Sequence, residues 1–235
     1  MAVICIAGIS PGIGKTSVAE LLLGELEGWH VARVRVADEI GEVDAERLAE
    51  TGHLLLTHPA DTPGDAELDR LAGAAGRGAS VLVAEPRGLA EGLAALRRGV
   101  PQDANLLIEG NAFLWADDAD LAIMVLGPGR SGKGLAPVRP SVRELFAKIG
   151  VWVWNTRTNP ADEGFFEFPQ TLARMGYHRV VSNRADFHHV SPKAASADEN
   201  AQFLDAVRER LEGAWWRRGS DEFLRRIGFG ETGPG

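Results

Sequence analysis

Short uninterrupted apolar runs alternate along this chain with longer stretches whose apolar residues return every third or fourth position. Residues 3–7, 80–84, 105–108, 121–126 and 151–154 are runs of the first kind. Their length and lack of polar alternation predict strands buried on both faces of a sheet. Residues 31–36 alternate apolar with basic side chains and end at Ala37-Asp38-Glu39, a further strand opening onto an acidic loop. Leu54, Leu55 and Leu56 read as another strand, and residues 179–182 as the last. Helical spacing predicts helices over residues 15–27, 44–50, 65–75 and 89–98. Val18, Leu21, Leu22 and Leu26 mark the inner face of the first, and Gly28 stands where a C-cap would.

Residues 59–64 read as a loop, and residues 127–140, rich in Gly, Pro and basic side chains, as a mobile one. Residues 192–200 form a polar linker, two amphipathic helices close the chain, and residues 228–235 are expected to fray. Buried strands alternating with helices predict a doubly wound α/β fold, a mostly parallel sheet with helices on both faces. No internal repeat or domain boundary interrupts it. Residues 1–190 carry the sheet, and residues 191–235 are expected as helices packed on the same domain.

Composition narrows the functional classes. The chain has 235 residues, 45% of them hydrophobic and 25% charged, with a formal net charge of -8. A sequence-independent nucleic-acid binder needs a basic face to displace counterions from phosphate, so nucleic acid is not an expected partner. No apolar run approaches the roughly 20 residues of a membrane span, so no membrane is expected either. The one cysteine, Cys5, lies in the first apolar run as a core thiol and has no second cysteine to pair with. The N-terminus lacks a basic leader, and a cytoplasmic location is expected.

The strongest chemical signal directly follows the first strand. Gly8-Ile9-Ser10-Pro11-Gly12-Ile13-Gly14-Lys15-Thr16 approximates a phosphate-binding loop, in which a glycine and four free residues precede Gly-Lys-Ser/Thr. The first glycine of that pattern falls on Ile9, with Gly8 one residue early. Gly12 and Gly14 let the main chain curl around phosphate with its amides inward, a cradle running from Pro11 through Ile13 to Ser17. Lys15 would reach the β and γ phosphates and Thr16 would offer its hydroxyl to Mg²⁺. The expected ligands are therefore ATP or GTP with Mg²⁺.

Two carboxylates stand at predicted strand ends, where this fold class places its chemistry. Asp38 follows the second strand, and Glu109 follows residues 105–108 with Gly110 behind it. Either would hold a magnesium-bound water or polarise an attacking nucleophile. Lys15, Asp38 and Glu109 are the candidate catalytic residues, and Thr16, Asp38 and Glu109 the candidate metal ligands.

The loop, Asp38, Leu107-Ile108-Glu109-Gly110-Asn111 and the run from Ala119 to Val125 together resemble the SIMIBI class of P-loop proteins. The resemblance is nearest to the molybdopterin-guanine dinucleotide biosynthesis B-like branch, with nickel-insertion GTPases as cousins, and spans about residues 1–183. It implies slow triphosphate hydrolysis, a maturation or adaptor role for a protein client, and a homodimer. GTP-specific relatives carry Asn-Lys-x-Asp after a late strand, whereas this chain reads Asn155-Thr156-Arg157-Thr158. Asn155 and Asn183 are the candidate base contacts, and the choice between ATP and GTP stays open. The Cys/His metal motifs of the nickel enzymes have no counterpart here.

Other features read more plainly. His53, His58, His188 and His189 lack the spacing that puts two imidazoles on one helix face. Trp152 and Trp154 read as packing residues, and Trp215-Trp216 beside Arg217-Arg218 as packing or a docking surface. Arg130 and Lys133, in the glycine-rich loop, are candidates to close over an anionic substrate. Three functions follow: a slow NTPase acting as maturation adaptor, a small-molecule kinase or ligase with an anionic acceptor, and a nucleotide sensor without turnover.

Overall fold

The computed structural model describes residues 1–37, 42–128, 135–156, 163–174, 187–194 and 198–226, with main chain alone at 42–44, 163–167 and 214–226. The expectations placed on Asp38, Arg130, Lys133, Asn183, residues 179–182 and the side chains of Trp215 and Trp216 lie outside what is described.

The strands are β1 (Val3–Gly8), β2 (Trp29–Val36), β3 (His53–His58), β4 (Gly76–Ala84), β5 (Asn105–Glu109), β6 (Leu121–Leu126), β7 (Val151–Asn155) and β8 (Phe187–Val190). The helices are α1 (Lys15–Leu23), α2 (Glu42–Thr51), α3 (Ala66–Ala75), α4 (Leu89–Gly99), α5 (Ala112–Ala116), α6 (Pro140–Arg143), α7 (Glu163–Arg174) and α8 (Asp198–Arg226). The strands form one eight-stranded sheet in the order β3-β4-β2-β5-β1-β6-β7-β8. Every described pairing is parallel except that of β3 with β4. This is the expected doubly wound α/β architecture.

β1 lies at the centre because its six residues are all buried, with an apolar side chain at every position before Gly8. Two side chains from distant segments secure its start: Ala2 N–H donates to Asn105 Oδ1 at 2.7 Å and Val3 N–H to Asp120 Oδ2 at 2.7 Å. The chain leaves β1 towards β2 on one side, while β6 flanks it on the other. The end of β1 is therefore a topological switch point, where open α/β sheets leave a crevice.

Several local expectations needed correction. The first helix stops at Leu23 rather than at residue 27. Gly24 closes it, and Glu25 and Leu26 both donate to the Leu22 carbonyl in a tightened turn. Gly28, with φ +78°, instead makes the turn into β2. The chain closes with one helix of 29 residues where two were expected. Glycines at 213 and 219 stay inside it, since a lone helical glycine costs only about 1 kcal/mol. Phe203, Leu204, Val207 and Leu211 recur along α8 and are buried in the main core. The α7 helix was not anticipated: Pro169 in its interior reads locally as a breaker, yet Phe168 and Leu172 are buried and hold the segment to the core.

Trp152 and Trp154 are buried, as expected for packing residues. Trp152 meets Phe146 edge-on at 4.9 Å and stacks on Phe187 at 6.1 Å, which ties β7 to β8.

Candidate functional site: a glycine loop, a buried carboxylate and a basic cavity

The loop after β1 takes its shape from a few residues. Ile9 is fully buried and donates its N–H to the Val125 carbonyl at 3.2 Å, so a side chain is welcome at the position where a glycine was expected. The close approach falls on Gly8 instead. A Cβ there would lie 2.7 Å from Ile13 Cγ2 and 3.1 Å from Lys15. Pro11 and Gly12 are exposed at the crest, Gly12 with φ +65°, and Ile13 turns back into the core.

Gly14 occupies the N-cap of α1 with φ +96°. Having no side chain, it leaves the first amides of the helix uncapped, which is the arrangement that receives an anion. Lys15, Thr16 and Ser17 form the first turn. Among the described residues no carboxylate lies within ion-pair distance of Lys15, although its charge acts on Glu109.

Glu109, at the C-terminal end of β5, faces this helix start. Thr16 Oγ1 lies 3.1 Å from Glu109 Oε1 and 3.1 Å from Oε2, donating across both. Only 7% of Glu109 is exposed. Burial pushes its carboxyl above the usual carboxylate range, while the charges of Arg33 and Lys15 and the Thr16 hydroxyl pull it back.

Sequence reading missed Arg33. It is buried on β2 directly beside Glu109 in the sheet register, with Nε 3.8 Å from Glu109 Oε2. Its other nitrogens reach Asp65 at 3.4 Å and Glu67 at 2.9 Å. Asp65 is also the N-cap of α3, accepting from Leu68 N–H at 3.0 Å. In the sequence Arg33 was only one of the basic positions alternating along the second strand.

Two asparagines lock the loop. Asn111 Oδ1 accepts from Gly8 N–H at 2.8 Å and its Nδ2 donates to the Gly8 carbonyl at 2.9 Å. Gly110 makes that turn possible, with φ +144° and an absent Cβ that would strike the Val34 carbonyl. From the other side, Asn155 Nδ2 donates to the Ile13 carbonyl at 3.1 Å. Asn155 is buried beneath Gly14, so it shapes the loop, a role that the expected base contact did not include.

A cavity of about 830 Å³ opens from the first limb of the loop, at Gly8, Ile9, Ser10, Pro11 and Lys15, past Glu109 and Asn111 towards β2, β4 and β3. Among the described residues its basic side chains are Lys15, Arg33, Arg35 and Arg139 and its one lining carboxylate is that of Glu109, with Asp65 and Glu67 pairing Arg33 from outside the lining. A chain of net charge -8 thus gathers positive charge where a phosphate would enter.

Elsewhere, His58 stands between Asp69 at 2.9 Å and Thr62 at 2.8 Å. Cys5 is buried and reaches the Gly110 carbonyl, and burial raises its thiol pKa strongly. Among the described residues no group of three or more His, Cys, Asp or Glu is arranged to hold a metal, and no helix is long and apolar enough to cross a membrane.

No family model and no curated protein matches the chain. Among solved structures, a plasmid partition protein from Borrelia burgdorferi superposes with a TM-score of 0.45 at 13% identity, covering 89% of this chain and 99% of that one. The MinD cell division protein of Aquifex aeolicus superposes with a TM-score of 0.40 at 11% identity, covering 93% and 98%. MinD in complex with MinC, from the same organism, gives 0.40 at 15% identity, covering 91% and 96%.

Proposed function

We propose that this chain binds a nucleoside triphosphate with Mg²⁺ in its glycine loop and cleaves or transfers the terminal phosphate. The observation that carries the reading is the Thr16 hydroxyl set against the Glu109 carboxylate at the uncapped start of α1, beside Lys15. A hydroxyl and a carboxylate are the hard oxygen donors that Mg²⁺ prefers. When bound, Mg²⁺ would neutralise charge on the terminal phosphates.

The chain's own residues supply the rest. Loop amides from Gly12 to Ser17 bind phosphate oxygens, and Lys15 adds a mobile positive charge. Glu109 orients the attacking oxygen or its proton, while Arg33 holds Glu109 in place. In hydrolysis, water forms the new O–P bond as the bond to the β–γ bridging oxygen breaks. The diphosphate leaves with that electron pair, and the water's proton passes to a nearby base, for which Glu109 is the candidate.

The finer reading, a slow NTPase serving as a maturation adaptor and working as a homodimer, rests on the resemblance carried by the loop, Asp38, residues 107–111 and residues 119–125. Transfer to a small anionic acceptor is favoured by a separate observation, the basic cavity beyond the loop.

Calorimetry over a panel of nucleotides, with phosphate release measured in parallel, tests the proposal. Lys15→Ala should weaken triphosphate binding by about 10- to 100-fold, the worth of one charge-assisted contact. Equal affinity in wild type and variant for both ATP and GTP would overturn it. Tight binding with no turnover, unchanged in Glu109→Gln, would instead establish the sensor function.

A further inference from the structure

The cavity extends well past anything a triphosphate on the loop would touch. Its contacts with the loop are confined to the limb from Gly8 to Pro11 and to Lys15; Gly12, Ile13, Gly14 and Thr16 do not line it. From there it runs towards the β3 edge of the sheet. β2 lies two strands from β1, and β3 lies four strands from it. At about 4.8 Å per strand, the far end is roughly 19 Å from the strand carrying the loop.

The lining changes character along that path, and the strand register shows how. Leu54 on β3 pairs with Val83 on β4, and Val83 pairs with Arg35 on β2. These residues form one row across three strands on one face of the sheet. Two residues along, on the same face by the period of a strand, Leu56 leads through Val81 to Arg33 and then to Glu109. An apolar lane over β3 and β4 thus passes into a basic lane on β2, which in turn borders the phosphate loop.

Arg33 is already shared among Asp65, Glu67 and Glu109. Arg35 and Arg139 have no carboxylate partner among the described residues. Two guanidinium groups at the mouth of a partly apolar cavity, with no carboxylate partner among the described residues, suit a ligand that brings its own anionic group. The buried Leu54 and Val83 behind them suit an apolar body, and Trp115, 47% exposed on the same cavity, offers a flat face for it.

The geometry points to a second-ligand pocket that takes a small organic acid with an apolar body. Its carboxylate faces Arg35 and Arg139, and its body lies over Leu54 and Val83. The inference rests on the phosphotransfer reading of the site, for which it names the class of acceptor. It does not require the nucleotide for binding.

The test uses the full chain and three probes: 3-phenylpropionate, its uncharged amide, and propionate, with binding read by calorimetry or ligand-observed NMR. 3-Phenylpropionate should bind at about millimolar affinity or tighter, while the amide, lacking charge, and propionate, lacking a body, should each bind at least about tenfold more weakly. Arg35→Gln should weaken the acid by about tenfold or more, and Arg35→Lys should recover part of that loss. Matching melting temperatures would show that the variants are folded.

Equal binding of acid and amide, no binding of the acid, or no effect of Arg35→Gln would each overturn the pocket. ATP and GTP binding by the wild type, measured on the same samples, separates the two readings. Nucleotide without acid leaves the loop standing and removes the pocket; acid without nucleotide does the reverse.

Discussion

The Thr16 hydroxyl lies 3.1 Å from each oxygen of the Glu109 carboxylate, across 93 residues of sequence. That contact brings a site together, and it also burdens the fold, because Glu109 is buried and its pKa is raised above 4.5, chiefly by that burial. A carboxylate whose folded pKa is raised contributes stability that is fully present below its unfolded value. The contribution is lost as pH rises through the folded value. At neutral pH the ionised side chain is therefore a cost to the fold.

Glu109→Gln should accordingly match or exceed the wild type in melting temperature at pH 7.5, and this advantage should vanish by pH 4. A gain of 1 kcal/mol would read as about 2–4 °C in a chain of this size. Gln keeps an oxygen for Thr16, and Arg33 keeps Asp65 and Glu67. Phosphate release should fall by at least about 10²-fold in the same variant. A lower melting temperature at pH 7.5 would show that the ion pair with Arg33 outweighs burial.

Asn111 makes two bonds to one residue, Gly8, at 2.8 and 2.9 Å. Asn111→Ala leaves a donor and an acceptor of the loop without their partner, and should cost about 2–4 kcal/mol at the usual penalty for an unmade bond. Asn111→Asp keeps the acceptor, loses the donor and adds a negative charge beside the glycine loop proposed to bind phosphate. It should melt higher than the alanine variant yet bind triphosphate more weakly, a reversal of order that chemical denaturation and calorimetry would detect together.

Gly110 combines φ +144° with a site where any Cβ strikes the Val34 carbonyl. Gly110→Ala should destabilise the chain by more than about 2 kcal/mol, since backbone strain and a clash with main chain add. Gly12→Ala is the informative comparison: φ is +65°, but a Cβ there meets nothing within 4 Å. It should cost only about 1 kcal/mol of strain, and urea titration of the two variants would separate them.

These residues also mark how far the sequence could be read. Residues that signal through local spacing were legible: the strand before the loop, Lys15 and Thr16 at the start of α1, and Glu109 with Gly110 at a strand end. What stayed hidden depends on neighbours far apart in the chain. Arg33 becomes Glu109's partner only because β2 pairs with β5, and periodicity does not specify which strands pair. Asn155 shows the same limit, since its bond to Ile13 spans 142 residues. Leu54, Leu55 and Leu56 were readable as a strand, but not as an antiparallel edge, because so short a run has no alternation to distinguish one covered face from two. The stop of α1 at Leu23 was obscured by Leu26, which continues the helical spacing and still packs against the core.

His30 lies away from the site. It is buried between β2 and β4, with Nδ1 3.1 Å from the Arg77 carbonyl and Nε2 3.0 Å from Ser80 Oγ. A carbonyl only accepts, so Nδ1 carries the proton and Nε2 of the neutral ring accepts from the Ser80 hydroxyl. Burial lowers its pKa below 6.5, partly offset by the bond to Arg77. A histidine with a depressed folded pKa contributes stability that is whole above its unfolded value and is lost as pH falls through the folded one. Wild type should therefore lose more stability than His30→Gln between pH 7.5 and pH 5, so the gap between the two should narrow on acidification. Thermal unfolding at both pH values measures that gap, and a gap that widens instead would mean that the protonated ring finds a better partner in Ser80 than the neutral ring does.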